Sequence, residues 1–224
     1  MGHYLSLELT PLQLRAWLFD DRAGSFELRG HLAEAYEPGQ DLLALAEETV
    51  AQIKPPSAQI LGTGFSLSAG KPIRTVLVGA SATHSLRAAR ALAALFYTEI
   101  VDEIDLQDGL SVVQQLERFL RTDADLFIIS GGTEGGAEKP ILTALDNLGV
   151  MLKAQNRAIP PQIVYAGNTA LHSEIEKKYA GNPNFHIGGN ILSSLDSPNS
   201  APALQAMLEA FRRIRRAELP GLKK

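Results

Sequence analysis

The chain contains no cysteine. That excludes disulfides, thiolate metal sites, iron–sulfur ligation and a cysteine nucleophile, and it accords with a reducing cytosol. Neither sign of charge dominates: the formal net charge is -4 over 224 residues, which argues against a general nucleic-acid binder. No apolar run reaches membrane-spanning length, and the N-terminus lacks a basic segment followed by an apolar one. The chain therefore reads as soluble and cytoplasmic, with no membrane or nucleic-acid partner. The histidines His3, His31, His84, His172 and His186 lack metal-ligand spacing, so no metal site is expected. Ser81 does not stand in a Gly-x-Ser-x-Gly elbow. No catalytic residue is assigned.

What is present is a hydrophobic content of 45%, enough for a sizeable core. Three strand-like runs, Tyr4–Leu9, Leu14–Phe19 and Ser25–Leu32, are separated by turn residues and predict an antiparallel meander. Residues 39–53 predict a helix with Leu42, Leu45, Ala46 and Thr49 on one stripe, stopped by Pro55-Pro56. From about residue 73 strands alternate with helices. Strands are expected at 76–79, 99–106, 126–130, 163–166 and 185–187, and helices at 84–96, 111–120, 137–157, 170–179 and 203–216. The fold class is α/β: a short antiparallel meander plus helix, then a mostly parallel Rossmann-like sheet with helices on both faces. The expected division is 1–56 and 57–224, two parts that can pack as one unit.

The most informative stretch is Gly131-Gly132-Thr133-Glu134-Gly135-Gly136, a strand-to-helix turn with four glycines in six positions. Such a turn lets a ligand approach the backbone closely. Three further turns, Gly79–Thr83, Gly167–Thr169 and Gly188–Asn190, fall at the same edge if the sheet is parallel, where ligands of open α/β sheets bind. For those three, backbone geometry and helix capping are sufficient reasons. The 131–136 loop is read as functional. It matches neither the Walker A pattern nor Gly-x-Gly-x-x-Gly, and Glu134 and Glu138 oppose a phosphate held close by. Glu134 suits hydroxyl recognition or a hydrated cation; a solvated turn carboxylate is the equal alternative. The acidic segment Glu99, Asp102, Glu103, Asp105, Asp108 reads as solvated strand edge, and Arg212, Arg213, Arg215 and Arg216 as a solvated basic face.

The wording and order of several segments resemble the MutL family encoded beside glutamate mutase, which is unrelated to the mismatch-repair protein of that name. They are Ala16-Trp-Leu-Phe-Asp20, Ser68-Ala69-Gly70, the run Phe127–Gly136, Val164-Tyr-Ala-Gly-Asn168, and Phe211, Ile214, Ala217 and Gly221-Leu222. The loop is similar to that family's Gly-Gly-Thr-Asp-Gly-Gly, with Glu134 replacing the aspartate. The resemblance implies kinship with actin, Hsp70 and sugar-kinase ATPases and a role in maintaining adenosylcobalamin-dependent mutases. It places the family's first phosphate loop, Asp-Ile-Gly-Ser-Thr, at Glu8-Leu9-Thr10-Pro11-Leu12. Pro11 lacks a backbone N–H and Leu12 lacks a hydroxyl, so a phosphate cradle is crippled there. A second phosphate loop and an adenosine site are expected beyond this chain, as part of a longer protein or as parts lost by a half-length relative.

Two functions follow. One is a non-catalytic or pseudo-ATPase module acting on a cobalamin-dependent mutase, with nucleotide as cofactor only in a longer protein. The other is a small-ligand-binding α/β enzyme with its site at Gly131, Gly132, Thr133, Glu134, Gly135, Gly136 and Asn168. A homo-oligomer using Trp17 and the basic last helix is a third option.

Overall fold

The structure is a computed structural model. It describes all residues except 1, 11, 23, 38, 68–69, 137, 156, 196–197 and 219–224. Pro11, Ser68-Ala69 and Gly221-Leu222, singled out above, lie outside the described residues. The chain divides into two compact units, residues 1–71 with 215–224, and residues 72–214.

The first unit is a mixed four-stranded sheet in the order β3-β2-β1-β4. Strands β1 (Gly2–Leu9), β2 (Gln13–Arg22) and β3 (Ser25–Ala35) form the expected antiparallel meander. Alternation puts Leu9 and Leu14 on one face, where they pack with Leu42 and Leu45 of helix α1 (Leu42–Ile53). The Asp41 side chain caps α1 by accepting from the N–H groups of Leu43 and Ala44. Strand β4 (Gln59–Leu67) was not anticipated. It runs parallel to β1, with Leu5 opposite Thr63 and Leu9 opposite Leu67.

The second unit is a five-stranded sheet in the order β6-β5-β7-β8-β9, every pair parallel. Its strands are β5 (Ile73–Gly79), β6 (Thr98–Asp105), β7 (Leu126–Ser130), β8 (Gln162–Tyr165) and β9 (Phe185–Ile187). The helices are α2 (Ser85–Ala93), α3 (Val112–Arg121), α4 (Glu138–Gln155), α5 (His172–Lys178) and α6 (Leu204–Glu218). Successive residues of β7 feed opposite cores. Leu126 and Ile128 pack with α2 and α6, while Phe127 and Ile129 pack with α3, α4 and α5. This double burial explains the unbroken apolar wording of β7, every residue of which is buried.

Two details depart from the sequence pattern. On α3 the buried positions are Gln115 and Phe119, whereas Val112 and Val113 are exposed. Arg215 is not solvated but only 2% exposed, with Nη1 bonded to Glu218 at 2.6 Å.

Helix α3 begins with a reciprocal capping box. The Gln114 N–H donates to the Ser111 hydroxyl, and the Ser111 N–H donates to the Gln114 side chain at 2.9 Å. Ser111→Ala is expected to cost about 1 kcal/mol, read as a lower urea midpoint with an unchanged slope.

Candidate functional site

In a parallel sheet every strand-to-helix turn leaves from the same edge. The turns after β5, β7, β8 and β9 therefore share the C-terminal edge of the second unit. The loop after β7 is set by close packing. A Cβ on Gly131 would lie 2.1 Å from Ile141 Cδ1 of α4, so any larger residue there would require the Ile141 side chain to move. Gly132 and Gly135 have φ of 65° and 74°, the left-handed region that favours glycine. Backbone geometry thus favours glycine at two of the loop's positions, and packing favours it at a third, before any ligand is considered.

Asn168 ties this loop to the β8 turn and is fully buried. Its Oδ1 accepts from the N–H of Gly135 at 3.2 Å and of Ala170 at 3.0 Å. Its Nδ2 donates to the Gly136 carbonyl at 3.1 Å, and its own N–H donates to the Gly131 carbonyl at 3.0 Å. The Tyr165 hydroxyl donates to the Asn168 carbonyl at 2.9 Å. Burial, with Glu134 and Glu138 nearby, pushes the Tyr165 phenol well above its usual range, so it stays a donor.

Glu134 has both oxygens engaged. Oε2 accepts from the Thr169 hydroxyl at 2.6 Å and the Thr169 N–H at 3.1 Å, and Oε1 accepts from Asn190 Nδ2 at 2.8 Å. Asn190 also donates to the Gly132 carbonyl at 3.3 Å. One carboxylate thus joins the turns after β7, β8 and β9. Desolvation acts to raise its pKa, but the bonds from Thr169 and Asn190, helped by nearby His172, hold it below the usual value. All seven expected residues, Gly131, Gly132, Thr133, Glu134, Gly135, Gly136 and Asn168, lie at this edge. Thr169 and Asn190 were not in that set; the only signal for them was their position in turns at the same edge.

Other expected residues go elsewhere. Two acidic residues of β6 are paired: Arg118 Nε donates to Asp102 at 2.9 Å, and Arg90 Nε donates to Glu103 at 2.5 Å. Thr83 Oγ1 lies 2.9 Å from His84 Nδ1, and the His172 ring stands edge-on to Tyr165. Among the described residues no group of three or more His, Cys, Asp or Glu side chains is placed to hold a metal ion. Nor is any helix among them long and apolar enough to cross a membrane.

In the first unit, the β1–β2 turn occupies the position the resemblance gives to a phosphate loop. Thr10 N–H donates to the Gln13 carbonyl at 2.9 Å, and Gln13 N–H donates to Thr10 Oγ1 at 3.0 Å. Leu12 N–H points at the same hydroxyl at 3.4 Å, and that hydroxyl donates to the Gln13 carbonyl at 3.0 Å. The Tyr36 hydroxyl donates to the Thr10 carbonyl at 2.7 Å. The donors of this turn are spent on the turn itself.

Asn168→Ala removes three side-chain bonds and leaves buried loop groups unpaired. It is expected to cost roughly 2–3 kcal/mol and to speed amide exchange at Gly135 and Ala170. For Glu134 the folded pKa is depressed, so its contribution is present above the unfolded value and lost as pH falls through the folded one. Glu134→Gln is therefore expected to melt below the parent protein at neutral pH. The gap should close in acid, as a series of thermal melts from neutral to acidic pH reads directly.

Known proteins were compared with the chain. No curated protein matches it. Two solved structures of the Ppx/GppA phosphatase of Aquifex aeolicus align with TM-scores of 0.22 and 0.20, at 8% and 10% identity. Each alignment covers all of this chain and 93% of the other, and scores that low carry no argument. The family described as MutL protein matches residues 12–224. That match spans nearly the whole sequence, and the chain belongs to the MutL family.

Proposed function

We propose that this chain is a non-catalytic, pseudo-ATPase module of the MutL family that serves in maintaining an adenosylcobalamin-dependent mutase. The observation that carries the non-catalytic part is the β1–β2 turn. A phosphate cradle needs convergent N–H and hydroxyl donors with no other acceptor. Here the Thr10, Leu12 and Gln13 N–H groups and the Thr10 hydroxyl all have acceptors inside the turn.

Glu134 supports the same reading. A general base works best when its pKa is not depressed. The bonds from Thr169 and Asn190 favour the charged form of Glu134 and make the carboxylate a brace between turns. A rigid, acid-lined edge on a chain of net charge -4 suits contact with a protein partner as well as it suits a ligand. The mutase as partner rests on the family's association.

The reading is tested with the intact protein. Calorimetric titration with Mg-ATP is expected to show no heat of binding, and phosphate release no rate above background. An inactivated adenosylcobalamin-dependent mutase is expected to co-purify with the protein and regain activity faster in its presence. Measurable ATP turnover would refute the pseudo-ATPase assignment. Indifference of the mutase in both assays would refute the maintenance role.

A further inference from the structure

The two sheets have four edge strands, β3 and β4 in the first and β6 and β9 in the second. An edge strand offers unpaired backbone N–H and C=O groups to any other chain, and folded proteins guard against that with charge, shortness or bulges. Three of the four edges are guarded. Strand β9 has only three residues. Strand β6 carries Glu99, Asp102, Glu103 and Asp105 and no basic residue, so a second β6 laid beside it would meet like charge. Strand β3 carries Glu27, Arg29 and Glu34 and a bulge opposite Leu18 and Phe19.

Strand β4 lacks charge altogether. No charged residue stands between Lys54 and Lys71. The strand is nine residues long, and among the described residues it is bonded only to β1. Six of its nine positions are exposed, among them Leu61 at 51% and Phe65 at 56%. A long, apolar, uncharged edge of this kind is a template for another strand.

The side chains of β4 select the occupant. Ile60, Thr63 and Phe65 stand opposite His3, Leu5 and Leu7, on the face of the sheet that carries α1. The register shifts between His3 and Tyr4, which makes Leu61 an extra residue. Leu61 and Gly62 both lie on the other face. A Cβ on Gly2 would collide with Leu61, and one on Gly62 would lie 3.1 Å from the Tyr4 ring.

A second β4, run antiparallel about a two-fold axis at Thr63, matches this pattern. Thr63 of one copy meets Thr63 of the other, and Gly62 meets Gly64. Past the extra Leu61, Ile60 of each copy meets Phe65 of the other. Every pair shares a face, as opposite residues of a ladder must. Threonine on threonine and an aromatic on a β-branched residue are among the favourable cross-strand pairs. No charge is brought against a like charge. Gly64 gains a reason as well: a Cβ there would meet nothing within 4 Å inside the chain, and a strand glycine often marks the close approach of another backbone.

From this self-complementarity we infer that the free edge of β4 is a homodimer interface, joining two copies of the first unit into one continuous eight-stranded sheet. The arrangement is isologous, so it closes at two copies and leaves no β4 edge for further growth. It uses neither the β1–β2 turn nor Glu134, and it stands whether or not the pseudo-ATPase reading does.

Sedimentation equilibrium of the full chain tests the inference. The parent is expected to be a concentration-dependent dimer. Thr63→Lys and Thr63→Glu each put two like charges face to face at the axis, and each is expected to weaken dimerisation about tenfold. An equal mixture of the two places Lys against Glu and is expected to associate about tenfold more tightly than either variant alone. Amide exchange needs no variant: the amides of residues 59–67 in the parent are expected to exchange more slowly as protein concentration rises. A parent that stays monomeric up to about 1 mM overturns the proposal. So does a variant that dimerises as tightly as the parent, a mixture no tighter than its components, or β4 exchange that is independent of concentration.

Discussion

Strand β7 is the constraint on which the second unit depends. Leu126–Ser130 is bonded on one edge to β5 and on the other to β8, and its side chains enter both cores. A strand buried on both faces has no freedom to slip, because a shift of one residue would exchange the contents of the two cores. Its last residue therefore leaves the sheet at a fixed height and direction. The loop that follows inherits that precision, and so do the turns it touches. Gly131 lies against Ile141 of α4 and against the backbone at Gly167, so two neighbouring crossovers are seated on one backbone position.

The Glu134 brace shows how such an edge is finished. Turns at the ends of parallel strands carry many backbone donors that no ladder satisfies. Asn168 takes two of them through one oxygen, and Glu134 takes another together with a hydroxyl and an amide. Because the carboxylate is largely exposed, its worth lies less in raw stability than in specifying how the turns after β7, β8 and β9 face one another. A carboxylate with three donors is also a poor base, since those donors favour its charged form. The same contacts that join the turns thus weaken Glu134 as a base.

Much of this architecture was legible in the sequence, and the reasons are local. The repeat of apolar strand, small-residue turn and amphipathic helix follows from burial on both faces of a parallel sheet, and β7 announces itself by five buried residues in a row. Strand β4 was not legible. Its run Gln-Ile-Leu-Gly-Thr-Gly-Phe-Ser-Leu carries two glycines, and most of its positions face solvent at a sheet edge, so neither propensity nor alternation marks it. The apolar wording of α3 concealed that Gln115, not Val112 or Val113, faces inward. The partners of Glu134 lie 35 and 56 residues away. Spacing within one segment carries no information about such pairs; only the strand order does, and the order was not readable.

Two turns in this chain show that composition alone does not make an anion site. The β1–β2 turn keeps a threonine hydroxyl and several N–H groups, yet Gln13 and Thr10 consume them. The β5–α2 turn carries hydroxyls as well, yet they too are engaged: Ser81 Oγ accepts from the His84 N–H at 3.4 Å, and Thr83 Oγ1 lies 2.9 Å from His84 Nδ1. Binding an anion costs desolvation, and that cost is offset only by donors not already committed elsewhere. A loop's residue types set how many donors exist, but the fold sets how many remain. By that measure the turn at the phosphate-loop position spends its donors on itself.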